Sequence, residues 1–293
     1  MLKVGQFEIT RIEEMMLIEP VATFAGIGEA ELATHRAWLV PTYYNEAENG
    51  FATSIHVWLV RAPGFVALVD TGGGNDKERP LSPRFHIRSA PFLAMLAKAG
   101  VTREDVTHVL LTHLHVDHVG WNTMLVDGRW EPTFPNASYI MSAREVAWRD
   151  PARTTAERPA AAYLPFEDSV KPILNSGLTR LVEGTETILD GLDLMPLPGH
   201  TPHQMGIRLR SGGEEAIFPG DVMHQPVQVC YPEVNSKYCE VQDVARTTRA
   251  ALLRHAVETG AILLPAHFGH PFGGRIAQDK TGGYRFVPLP EVP

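Results

Sequence analysis

The sequence predicts an α/β chain in which strands gather into two sheets with helices packed on their outer sides. Three observations carry this expectation. Short β-branched, apolar runs recur in groups, helix-length amphipathic segments punctuate those groups, and no internal repeat or low-complexity stretch competes. The 293 residues read as a single domain spanning 1–293, long enough to bury a sizeable core without disulfides or a structural metal.

Taken in order, residues 3–16 alternate at Val4, Phe7, Ile9 and Ile12 and read as a strand or hairpin. Residues 20–50 are irregular, with a short helix expected within 28–39. The apolar runs 55–60 and 65–70, separated by Ala62-Pro63-Gly64, carry a hairpin signature and lead into Asp70-Thr71-Gly72. Apolar Phe92, Met95 and Leu96 before Gly100 predict a helix over 89–98, and 106–111 is a short buried strand. A strand over 137–141 and a helix over 142–149 follow, after which Pro151, Pro159, Pro165 and Pro172 forbid a long unbroken helix in 150–176. Strands are expected over 187–195, 205–209 and 215–218, a helix over 244–259, and a last short strand at 262–265.

Charge removes some function classes. Lys plus Arg total 26 against 34 Asp plus Glu, for a formal charge of -8, which repels nucleic-acid phosphates and anionic lipid. No stretch approaches the roughly 20 apolar residues of a membrane span. The N-terminal residues lack a signal-peptide apolar region, and Cys230 and Cys239 stand outside CxxC spacing, so reduced thiols and a cytoplasmic location are expected. The expected partner is a small-molecule substrate, with no nucleic acid and no membrane; a homodimer is left open.

The chemistry lies in the histidines. Residues 113–118 read His113-Leu-His115-Val-Asp117-His118 directly after an apolar strand. One histidine at a strand end is ordinarily a hydrogen-bonded surface residue. Three imidazoles and a carboxylate within six residues are nitrogen and oxygen donors of the kind Zn²⁺ takes, and His113 and His115 project to one side of extended backbone. Further donors stand at other strand ends: His200 in Pro-Gly-His-Thr-Pro, Asp221 in Phe-Pro-Gly-Asp and His267 in Leu-Leu-Pro-Ala-His.

With Asp70-Thr71-Gly72, the HxHxDH cluster at 113–118, Gly-His200, Gly-Asp221 and Ala-His267, the chain resembles the metallo-β-lactamase superfamily over roughly residues 50–272. The resemblance implies a four-layer αβ/βα sandwich, two mixed β-sheets flanked by helices, with a dinuclear site along one edge. It implies that His113, His115 and His200 hold a first divalent ion and Asp117, His118 and His267 a second, with Asp221 bridging and Asp70 orienting a ligand imidazole from behind. Zn²⁺ is the expected metal for both positions. Such a pair lowers the pKa of bound water from 15.7 to about 7 and makes a bridging hydroxide the nucleophile for a carbonyl or phosphorus centre.

Around the ligands, His224 stands three residues after Asp221, where lactonases of the superfamily usually carry tyrosine. With Gln228 downstream, this is similar to the methyl parathion hydrolase-like branch. Asp117 and His224 are accordingly the catalytic candidates, and His224 is a hydrogen-bond donor to substrate or leaving group. His203 reads as structural, and His115 argues against the flavin-linked diiron relatives. Trp121, Asn122, Met223, His224, Phe268 and His270 are the expected substrate-binding residues, by proximity to the ligands. Segments 20–50 and 150–176 are expected to cover the site as lids, contributing Phe24, Tyr43, Tyr44 and Tyr163. The leading expectation is a hydrolase of a small neutral ester or lactone, with phosphotriester hydrolysis as the alternative. A β-lactamase, an iron-dependent sulfur dioxygenase and a non-catalytic metal-binding protein rank below.

Overall fold

In the computed structural model, residues 1–280 and 282–290 are described. The N-terminal hairpin is β1 (Leu2–Val4) and β2 (Phe7–Pro20), turning at Gly5; α1 (Glu29–Leu39) and the short β3 (Tyr44–Asn45) lead into a second hairpin of β4 (Gly50–Ala62) and β5 (Phe65–Val69). Then come α2 (Phe92–Lys98), β6 (His108–Leu110), a separate hairpin of β7 (Thr123–Val126) and β8 (Arg129–Pro132), β9 (Ser138–Ser142) and α3 (Ala143–Arg149). The proline-bearing stretch folds as short helical pieces ending in α4 (Lys171–Ser176), as the proline spacing demands.

The second half supplies β10 (Thr179–Val182), β11 (Thr187–Leu189), β12 (Leu192–Pro196), β13 (Met205–Ser211), β14 (Glu214–Phe218), α5 (Val227–Cys230), α6 (Gln242–Thr259) and β15 (Ile262–Leu263). The strand at 262–265 is not the last: β16 (Gly274–Gln278) and β17 (Tyr284–Pro288) follow as a hairpin at the sheet edge.

One sheet runs β1-β2-β4-β5-β6-β9-β10 with β3 against β4, and the other runs β11 through β17 in sequence order. Both are mixed: β5, β6, β9 and β10 pair in parallel in the first, and β14 pairs β15 in parallel in the second. Strands covered on both faces explain why the run 57–60 of β4 and the run 65–69 of β5 are continuously apolar rather than alternating.

Between the sheets, Phe7, Ile9, Trp58, Val60, Ala67, Leu110 and Ile140 meet Leu194, Ile207, Leu209, Ala216, Phe218 and Ile262. On the far side of the first sheet, Phe92, Leu96, Val146 and Ile173 of the helices cover Val57, Leu59, Leu68 and Val109. On the far side of the second, Leu252, Leu253 and Ala256 of α6 cover Ile217 and Leu263. The layers are helix, sheet, sheet, helix. Cys230 and Cys239 are both unbridged, and among the described residues no helix is long and apolar enough to cross a membrane.

Candidate metal centre

Five strands end at one edge of the sandwich and deliver their polar followers there. Asp70 terminates β5, residues 112–118 leave β6, His200 follows β12, Asp221 follows β14 and His267 follows β15. Asp70 sits at φ +60, an uncommon left-handed conformation for a non-glycine residue. That turn aims its carboxylate back across the sheet, where Oδ1 accepts from the Thr112 N–H at 2.8 Å and Oδ2 accepts from His118 Nδ1 at 2.8 Å. The loops after β5 and β6 then lie backbone against backbone. A Cβ at Gly120 would fall 2.0 Å from the Gly73 carbonyl carbon, so only glycine permits the approach.

Each ligand imidazole is tied at its far nitrogen. His113 Nδ1 is 3.0 Å from Thr112 Oγ1, whose own proton goes to Asp70. His118 Nδ1 donates to Asp70, and His267 Nδ1 donates to the Ser54 carbonyl at 3.0 Å. His200 Nδ1 lies 3.9 Å from the Cys239 thiol. Those contacts assign the ring protons and leave the opposite nitrogens as lone pairs aimed inward. The inward nitrogens crowd together: His113 Nε2 is 3.0 Å from His115 Nδ1, which is 2.8 Å from His200 Nε2.

Asp221 stands between the two groups of rings. Its Oδ2 is 3.2 Å from His200 Nε2 and 3.8 Å from His113 Nε2, while its Oδ1 is 3.3 Å from His118 Nε2 and 3.2 Å from His267 Nε2. Asp117 completes the second group, 3.8 Å from His118 Nε2 and 3.6 Å from His267 Nε2. The sets His113–His115–His200–Asp221 and Asp117–His118–His267 each bring their ligand atoms within 4.8 Å of one another. His118 Nε2 and Asp221 Oδ1 are buried with no hydrogen-bond partner. Buried acceptors facing acceptors are costly without a cation between them, so the donor set fits divalent metal.

The charges agree. Burial holds His113 and His200 well below the usual imidazole pKa, keeping them as neutral ligands. Burial also pushes on His118 and His267, but the carboxylates around them, Asp221 first, outweigh it and raise both. For Asp221 the burial penalty is outweighed by the imidazoles of His267 and His118, and its carboxyl lies well below the usual range. The cluster draws positive charge to its centre.

The sequence profile of the metallo-beta-lactamase superfamily matches residues 50–267. The chain belongs to that superfamily. A protein of Mycobacterium bovis named "Probable metallo-hydrolase" is 24% identical over 194 residues, 60% of this chain and 58% of its own length. Among solved structures, the hydrolase AbOPH of the beta lactamase superfamily superposes with a TM-score of 0.82 at 24% identity, covering 99% of this chain and 96% of its own. AidC, a dizinc quorum-quenching lactonase with a product N-acyl homoserine bound, gives 0.80 at 24% identity, covering 100% and 97%.

Within this superfamily member, the candidate metal-binding residues lie at the floor of a cavity of about 480 Å³ walled by Phe24, Ile55, Leu81, Phe85, His224 and Tyr238. His224 stacks on His267 at 5.4 Å and 13°, with Nε2 3.2 Å from Asp221 Oδ2. Gln228, which sequence grouped with it, points away and accepts from the His224 N–H at 2.7 Å, fixing the loop.

The other expected substrate residues are placed elsewhere. Trp121 is buried, stacks on Phe92 at 5.1 Å and donates to Glu14; Asn122 accepts from Thr71. Met223 and Phe268 pack into the core under α6, Phe268 edge-on to Phe286. His270 is exposed, edge-on to Phe272. For Met223 and Phe268 the physical reason is alternation: the chain neighbour of an inward-facing residue faces the opposite way.

The covers differ too. Phe24 of segment 20–50 reaches the cavity, whereas Tyr43 and Tyr44 are core and the Tyr163 hydroxyl donates to the Ala156 carbonyl. Residues 81–85 and 237–238 form the walls instead. They bring cations that sequence did not anticipate there. Arg84 is paired with buried Glu19 at 2.5 Å, and Lys237 lies 3.8 Å from the same carboxylate, which also accepts from Tyr238 at 2.9 Å.

Proposed function

We propose that the chain is a dinuclear metal-dependent hydrolase that cleaves a small neutral ester or lactone bearing an apolar acyl portion. The observation carrying this reading is the convergence of His113, His115, His200 and Asp221 beside Asp117, His118 and His267 at the floor of one cavity. Zinc ions, which these residues would hold, would supply Lewis acidity and a hydroxide nucleophile at neutral pH.

The remaining work falls to this chain's own side chains. Asp221 offers one oxygen to each group of imidazoles and fixes their spacing. Asp117, the most exposed of the two site carboxylates, faces the cavity and is placed to hold a proton during attack. His224, in the cavity wall with Nε2 3.2 Å from Asp221 Oδ2, is placed to donate to the leaving oxygen. Phe24, Ile55, Leu81 and Phe85 shed water around an acyl group. Glu19 offsets the Arg84 charge, which suits a neutral substrate.

Because His224 occupies the wall, phosphotriesters are the second reading. A panel of γ-lactones, aryl esters, phosphotriesters and a chromogenic cephalosporin, run with metal analysis on wild type, His115→Ala and His224→Ala, separates them. We expect lactone or ester turnover that disappears with His115→Ala. Turnover of triesters alone, abolished by His224→Ala, would establish the second reading.

A further inference from the structure

His115 differs from the other ligand histidines. Its Nδ1, not its Nε2, faces the centre, at 3.0 Å from His113 Nε2 and 2.8 Å from His200 Nε2. For Nδ1 to bind a cation, the ring proton must reside on Nε2. Two groups compete there. The Glu240 carboxylate Oε1 lies 3.1 Å from Nε2 and can only accept a hydrogen bond from it, whereas Arg149 Nη2 lies 2.8 Å away and can only donate. An Arg149 bond to Nε2 would force the proton onto Nδ1 and remove the ligand lone pair.

Resting on the metal-centre reading above, we propose that Glu240 is the positioning residue that sets the His115 tautomer and so completes the first metal position. The geometry is built for it. Arg149 Nη2 reaches Glu240 Oε1 at 2.5 Å, so its hydrogen bond is drawn to the carboxylate. Trp148 Nε1 donates to Oε2 at 2.8 Å and Arg158 Nη2 sits 3.5 Å from the same oxygen, which pins the carboxylate plane from α3 and the segment after it. The Glu240 backbone N–H donates to the His200 carbonyl at 2.9 Å, and the Val241 N–H donates to the Gly199 carbonyl at 2.9 Å. One residue therefore holds two ligands of the same group, His115 by its side chain and His200 by its main chain. No motif in the sequence marks it, because Glu240 lies beyond the ligand-bearing loops in a turn before α6.

The test is zinc affinity of the full-length protein by competition with a chromogenic chelator. Wild type should take up two ions, and Glu240→Ala should weaken one of them about 10- to 100-fold. Glu240→Gln, which keeps an acceptor, should lose less. The double variant Glu240→Ala/Arg149→Met should recover part of the loss, because the competing donor is gone; a merely structural Glu240 would give no such recovery. Long-range ¹H–¹⁵N spectra of the zinc-loaded wild type should show a downfield proton on His115 Nε2 that shifts in Glu240→Gln. These spectra serve if Glu240→Ala does not fold. Unchanged affinity in Glu240→Ala, no recovery in the double variant, or an unshifted Nε2 proton would overturn the proposal. A wild type that takes up no zinc would instead overturn the metal-centre reading.

Discussion

Two buried charge clusters in this molecule have opposite characters. In one, Asp168 is enclosed by Arg79, whose Nη1 and Nη2 donate to its two oxygens at 2.6 and 2.7 Å, with Ser169 donating at 2.6 Å and the Lys77 ammonium ion-paired at 3.7 Å. Lys77 also donates to Thr123 at 2.6 Å and lies 3.5 Å over the Trp130 ring. Donors there meet acceptors at both carboxylate oxygens, with only Arg79 Nε left buried and unpartnered. In the other, His113, His115, His118, His200, His267 and Asp221 turn acceptors toward one another and leave His118 Nε2 and Asp221 Oδ1 without partners. Burial and charge alone do not separate structure from function; several acceptors converging on one another do.

The contrast can be broken by exchange of effects. Asp221→Ala should cut turnover about 10⁴-fold or more, about 5 kcal/mol of transition-state stabilisation, with metal content falling in parallel. Retained metal and turnover in that variant would dissolve the distinction. Arg79→Met should do the reverse, destabilising the fold by about 3–5 kcal/mol in denaturant unfolding because it strands a buried carboxylate, with metal stoichiometry unchanged. Asp70→Asn weakens the acceptor behind His118, and chelator competition should show about a 10- to 100-fold loss of metal affinity.

The smallest effect sharpens the comparison through pH. Burial, partly offset by Asp168, lowers Lys77 to about 7. Between that value and the ordinary lysine pKa near 10.4, the unfolded chain holds a proton that the folded chain has released. This group therefore adds stability as pH rises, with a slope of about 1.4 kcal/mol per pH unit. Lys77→Met should flatten that slope between pH 7 and 9.5 without lowering stability at pH 7, since Arg79 still neutralises Asp168.

Much of the convergence of the candidate ligands was legible because each stands three or four residues beyond the end of a strand whose last residues are apolar: His113 after 108–110, Asp221 after 214–218, His267 after 262–263. A run of buried residues ending in a polar one locates an edge even when the sheet order is unknown. The cavity wall was not legible by the same logic. Met223 and Phe268 adjoin site residues along the chain, yet alternation turns both away into the core, and Trp121 is carried there by a 3-10 turn. Arg84 and Tyr238, which do face the cavity, sit in loops that no periodicity marks. The hairpin of β16 and β17 was missed for a related reason: Gly273, Gly274, Gly282 and Gly283 make its sequence read as turn.

The edge on which the donors gather has a mechanical meaning. Asp70 and residues 113–118 belong to the first sheet, and His200, Asp221 and His267 to the second, so neither half of the sandwich carries a full coordination set alone. An ion seated there would act as a rivet across the seam, and starving the molecule of metal would then loosen the joint between its halves.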